Sequence, residues 1–143
     1  MSNKHKINEA FLNKFIEVDN ICTAKFGVRG SGVGEYINRL RNARFAQERD
    51  EVLPRLVRYI NLRNRLAHEA GALRQIDEIT KDDIRWLVNF EKVLGKKKDP
   101  LSLYLHKARR YARRRRAFRT VLCVGVIAVI VAAVVGTILC FVL

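Results

Sequence analysis

Apolar residues recur at steps of three and four through most of this chain, and their breaks mark the elements. Ile7, Phe11, Phe15, Val18, Cys22 and Phe26 form one stripe, the signature of an amphipathic helix of about 20 residues. The run Gly27-Val-Arg-Gly-Ser-Gly-Val-Gly34 breaks that helix. A second is predicted from about Val33 to Arg44, with Val33, Tyr36, Ile37 and Leu40 inward. A third begins near Asp50, with Leu53, Leu56, Val57, Ile60 and Ala67 on its buried side. Pro54 fits only its first turn or a kink just after it, and Gly71 is the stop. Thr80-Lys-Asp-Asp83 reads as a capping box with Asp in place of the usual Glu or Gln. The helix it opens buries Ile84, Leu87, Phe90 and Leu94 and ends at Gly95. Asp99-Pro100 supplies an N-cap and a favoured first residue for a fifth helix carrying Leu101, Leu105 and Ala108. No stretch alternates with period two, so the predicted class is all-α, a small bundle of four to five helices.

The periodicity stops at Val121. From there to Leu143 run 23 residues without a charge. At about 1.5 Å per residue they span roughly 34 Å, against about 30 Å of hydrocarbon. A domain this small cannot surround a helix apolar on every face, so the segment is expected to be a transmembrane tail anchor. The leader MSNKHKINEAF has no apolar run, so no secretory signal is expected. Ala128, Ala132 and Gly136 recur every fourth residue, a small-residue stripe that lets membrane helices pack closely.

Charge adds direction. The 143 residues hold 28 Lys+Arg against 14 Asp+Glu. Eight of the cations are Lys107, Arg109, Arg110, Arg113, Arg114, Arg115, Arg116 and Arg119, with no acid among them. Such a flank stays cytoplasmic, so a single-pass protein of the inner or plasma membrane is expected, its N-terminal part inside. The same cluster suits the anionic headgroups of a lipid bilayer. A nucleic-acid patch is the other reading of it. The expected organisation is a helical domain over 1–102, a basic juxtamembrane helix over 103–119 and the anchor over 120–143. The length excludes a multidomain enzyme. Cys22, Cys123 and Cys140 are expected as free thiols in a reducing compartment. No metal-ligand spacing and no cofactor motif is present. The glycine run lacks the Lys-Ser/Thr of a phosphate loop and reads as a connection, an anion seat at the next helix start being the lesser alternative. His5 is expected in a solvated leader, His106 near headgroups, and Trp86 in the core or an interface.

One constellation carries candidate chemistry: Arg63-Asn64-Arg65-Leu66-Ala67-His68 on the third helix. Asn64 and His68 stand one turn apart on one face, and Arg63 is long enough to reach beside them. An imidazole, a guanidinium and an amide together suit a phosphodiester.

The stretch Arg-Asn-Arg-Leu-Ala-His-Glu (63–69) resembles the motif of the HEPN superfamily, small helical domains whose nucleases carry Arg-Asn-x-x-x-His. Tyr-Ile-Asn-Arg-Leu (36–40) and Lys-Lys-Asp-Pro-Leu-Ser (97–102) are similar to segments of an uncharacterised bacterial branch of such proteins. The likeness covers roughly residues 7–105 and leaves the anchor without a counterpart. It implies a HEPN-like homodimer whose motifs share one cleft and whose active members cleave RNA without metal. By position, His68 would transfer the proton, Arg63 would stabilise the phosphorane and Asn64 would orient the pair or the scissile phosphate. Glu69 is a weaker candidate, positioning His68 or Arg63. The implied role is a ribonuclease of toxin or phage-defence type, with any regulatory protein on a separate chain. The alternative is a non-catalytic membrane-tethered dimerisation or adaptor module. A third reading is a lipid-sensing basic helix carrying a passive domain.

Overall fold

A computed structural model describes residues 3–142, with side chains through residue 130. Six helices follow in order: α1 (Asn3–Phe26), α2 (Gly32–Asn42), α3 (Arg49–His68), α4 (Ala72–Gln75), α5 (Lys81–Gly95) and α6 (Pro100–Val142). No strand occurs among the described residues, and the protein is all-α. The chain divides into two compact units, residues 1–104 and 105–143.

In the first unit α1 is the central element and packs against α2, α3, α4 and α5. Its buried stripe is Asn8, Phe11, Phe15, Val18 and Cys22. Asn8 occupies one of the deepest positions because its amide donates to the carbonyls of Leu73 (3.1 Å) and Ile76 (2.9 Å). Those bonds clamp the α4 turn onto α1. They satisfy carbonyls that a four-residue helix leaves open. Gly27 ends α1 in the left-handed region (φ 64°), its N–H returning to the Thr23 carbonyl at 2.8 Å.

Aromatic rings hold the centre. Phe11 meets Tyr59 edge-on, Tyr59 meets Trp86, Trp86 stacks on Phe90 at 4.9 Å, and Phe90 meets Tyr36 edge-on. The capping box predicted for α5 is present: Thr80 Oγ accepts from the Asp83 N–H, and the Asp83 carboxylate accepts from the Thr80 N–H. Asp99 caps α6 as expected, accepting from the Ser102 N–H at 3.1 Å. It is completely buried, where Lys25 (2.8 Å) and the Tyr36 hydroxyl (3.1 Å) also donate to it.

Three expectations change. The buried face of α3 is Val52, Leu56, Tyr59, Leu62 and Leu66, not the stripe through Leu53, Val57, Ile60 and Ala67. Tyr59 decides the phase, since its ring closes the aromatic cluster and its hydroxyl reaches Asp83 at 2.8 Å. His5 lies within α1 with a side chain only 21% exposed, rather than in a solvated leader. Residues 69–80 hold an extra helical turn, α4, which Gly71 enters in the left-handed region at φ 79°.

In the second unit α6 carries the basic run, all of it exposed, and then the apolar stretch from Val121. Among the described residues no helix is long and apolar enough to cross a membrane. The expected anchor continues past Ile130; there Ala132, Gly136 and Cys140 lie outside the residues whose side chains are described.

Candidate functional site

The phase of α3 sets the display of the motif. Leu62 and Leu66 point into the core, which leaves Arg63 half-buried beside them and Asn64 and His68 exposed. Arg63 Nη1 donates to Asn64 Oδ1 at 3.2 Å. Both line a depression of about 330 Å³ with Phe15 and Asp19 of α1, Gly30 and Ser31 before α2, and Ile60.

The glycine run forms one wall, and packing explains its composition. A Cβ on Gly32 would stand 2.2 Å from the Thr23 backbone nitrogen and 2.4 Å from the Asp19 carbonyl oxygen. Only glycine lets α2 start this close to α1. The Asp19 carboxylate then accepts from Ser31 Oγ (2.9 Å) and from the Val33 N–H (2.8 Å). A protein carboxylate thus fills the positive end of α2, where an anion would otherwise bind. The lesser reading of an anion seat at this helix start does not survive that contact.

His68 is the last residue of α3 and does not line the depression. Its side chain makes no hydrogen bond or ion pair among the described residues. Glu69 does not reach it, because Glu69 pairs with Arg65 at 3.4 Å, and Arg65 also holds Glu78 at 2.7 Å. One chain therefore presents the motif in two parts, Arg63 with Asn64 on the depression and His68 beyond it at the open helix end. General acid–base work needs a group within about 3 Å of the proton it moves. Arg63 and Asn64 share the depression, and the exposed His68 stands one helical turn beyond Asn64. Among the described residues no three His, Cys, Asp or Glu side chains come together as a metal site.

Two buried carboxylates, each tied to a tyrosine, were not foreseen as such. Asp83, expected as the acid of the capping box, also accepts from Tyr59 and from Arg58 Nη1 at 3.1 Å. Burial alone would raise its carboxyl. The Thr80 N–H, the Tyr59 and Thr80 hydroxyls and the Arg58 charge outweigh that and hold it below the ordinary 3.8. Burial, joined by the Asp83 hydrogen bond and charge, pushes the Tyr59 phenol up. The signal was a tyrosine at a core phase with an acid opening the next helix. The Cys22 thiol, buried beside Lys25 and Asp19, is pushed up to about 12, chiefly by burial.

A helical domain followed in sequence by an acid-free basic run is the class that fold and charge define. Residues 9–122 match a family of unknown function (DUF6548), and the chain belongs to that family. The match takes in the helical unit from residue 9 onward and the whole basic run. No curated protein and no solved structure matches the chain.

Proposed function

We propose that this protein is a membrane-tethered helical module that uses its 1–104 unit for protein contact and α6 as the tether. The observation carrying this is the start of the apolar stretch, where Val121 (71%), Leu122, Val124, Val126, Ile127, Val129 (70%) and Ile130 are all exposed. An unbroken apolar surface of this kind seeks lipid or a protein partner. It follows directly on eight cations with no acid, each worth about 1 kcal/mol against anionic headgroups. With the residues that follow in sequence, the uncharged run is long enough to cross a bilayer. The basic flank would hold residues 1–119 on the cytoplasmic side of the inner or plasma membrane. Ala128, Ala132 and Gly136 would offer a close-packing face to a second span. Flotation of the full chain with liposomes tests the tether. Wild type is expected to float through high-salt and alkaline washes, and Val129→Arg to be lost from the lipid fraction. Wild type washed free of vesicles sinks the proposal.

A second reading is supported by the contact of Arg63 with Asn64 and by the unpartnered, exposed His68. In it a HEPN-like homodimer joins Arg63 and Asn64 of one copy to His68 of the other around one RNA phosphate. The RNA 2′-hydroxyl attacks the adjacent phosphorus while His68 moves the proton. Arg63 steadies the charged phosphorane, and the 5′-oxygen leaves to give a 2′,3′-cyclic phosphate and a free 5′-hydroxyl. Full-length protein in EDTA with mixed structured and single-stranded RNA tests it. Cyclic ends that disappear in both Arg63→Ala and His68→Ala, with helicity intact, support a ribonuclease. Intact RNA with folded wild type leaves the adaptor reading.

A further inference from the structure

Between α2 and α3 the chain makes a tight turn anchored by two buried alanines, Ala43 and Ala46. The Ala46 N–H donates to the Ala43 carbonyl at 3.0 Å, and the Arg49 guanidinium reaches back to the Leu40 carbonyl at 3.2 Å. Held this way, the turn presents Phe45 to solvent at 88% exposure, the highest of the large apolar side chains described. Its neighbour Arg44 is exposed and makes no hydrogen bond or ion pair among the described residues.

Three residues on, a groove of about 130 Å³ opens on the same unit. Val52, Val93 and the stacked rings of Trp86 and Phe90 supply its apolar walls, and Glu48 and Glu51 its acidic rim. An apolar cavity of about 150 Å³ takes a benzene, so the groove has the size of one aromatic ring. Neither rim glutamate has an ion-pair partner among the described residues. Glu48 sits in the left-handed region at φ 58°, a conformation that glycine or asparagine adopts more easily.

We infer that this face is a two-fold seam between two copies of the chain, in which Phe45 of each fills the groove of the other. Arg44 then meets Glu48 and Glu51 of the second copy. A projecting ring and a ring-sized groove on one patch are what a self-complementary contact needs; a foreign partner would need only one of them. Charge selects the same place. Copies of a chain with net charge +14 repel, and here unpaired acids face an unpaired arginine. The seam lies at the opposite end of α3 from His68. Val52 and His68 are sixteen positions apart, about 24 Å along the helix. It therefore rests on neither the tether nor the RNA reading, and it does not join two Arg63–His68 motifs.

Sedimentation of the full-length chain in detergent micelles, over a concentration series, tests the seam. Phe45 is exposed, so Phe45→Ala keeps the fold, and it is expected to raise the dissociation constant about 30-fold, the effect of losing one interface hot spot. Arg44→Glu alone and Glu48→Arg/Glu51→Arg together are each expected to weaken association, and all three combined to restore it. Recovery in the triple variant supports a direct charge pairing across the seam. A monomer at every concentration, association unchanged by Phe45→Ala, or a triple variant as weak as its parents overturns it.

Discussion

Asp83 gathers four donors, the Thr80 N–H and hydroxyl, the Tyr59 hydroxyl and the Arg58 guanidinium, at 2.8–3.1 Å. A buried charge held this way is strongly destabilising to remove, so Asp83→Ala is expected to cost about 3 kcal/mol in urea unfolding. Tyr59→Phe removes one donor and should cost about 1 kcal/mol. The carboxyl is depressed in the folded state, so its contribution is complete above the unfolded value near 3.8 and is lost as pH falls through the lower folded one. The gap between wild type and Asp83→Ala should accordingly stay constant down to neutral and mildly acid pH and shrink below 3.8. Gly32→Ala places a methyl against the α1 backbone, with no flexible side chain to give way, and should cost about 1–3 kcal/mol. Glu48→Gly relieves a left-handed residue and is expected to stabilise the unit by about 1 kcal/mol while removing one rim charge.

At the scale of elements, legibility followed the strength of the local signal. α1, α2, α5 and the start of α6 were readable because each combines a clear apolar period with a chemical start or stop, such as Thr80 with Asp83 or Asp99 before Pro100. α3 was readable as a helix but not in phase. Two apolar stripes compete on it, through Leu53 and Val57 or through Val52 and Leu66, and aliphatic content alone does not rank them. Tyr59 ranks them through partners on α1 and α5, Phe11 and Trp86, which no local window contains. α4 was illegible because four residues carry no period, and Asn8, more than sixty residues away, holds it in place. The candidate motif was legible in composition, yet its division between the depression and the open helix end depends on where α3 stops. For α6, thiol labelling reads the tether directly. Cys123 is exposed along the helix, so an impermeant maleimide should modify it in micelle-free denatured chain and not in intact vesicles. Buried Cys22, with its thiol near 12, should stay unmodified until the first unit unfolds.

The whole molecule combines a closely knit helical unit with a helix whose charge and apolar content are sorted along its length. The two units call for different measurements, unfolding for one and partitioning for the other. The clamp from Asn8 to Leu73 and Ile76 also imposes an order in time. Ribosomes add about 5–20 residues per second, and 65 residues separate Asn8 from Leu73, so the amide waits about 3–13 s for its carbonyls to be made. During that interval Phe11, Phe15, Val18 and Cys22 have only α2, and later α3, to cover them, since α5 comes later still. Newly made α1 is thus the segment most exposed to chaperones and to premature association, and slowing synthesis between residues 30 and 90 should lower the yield of native protein.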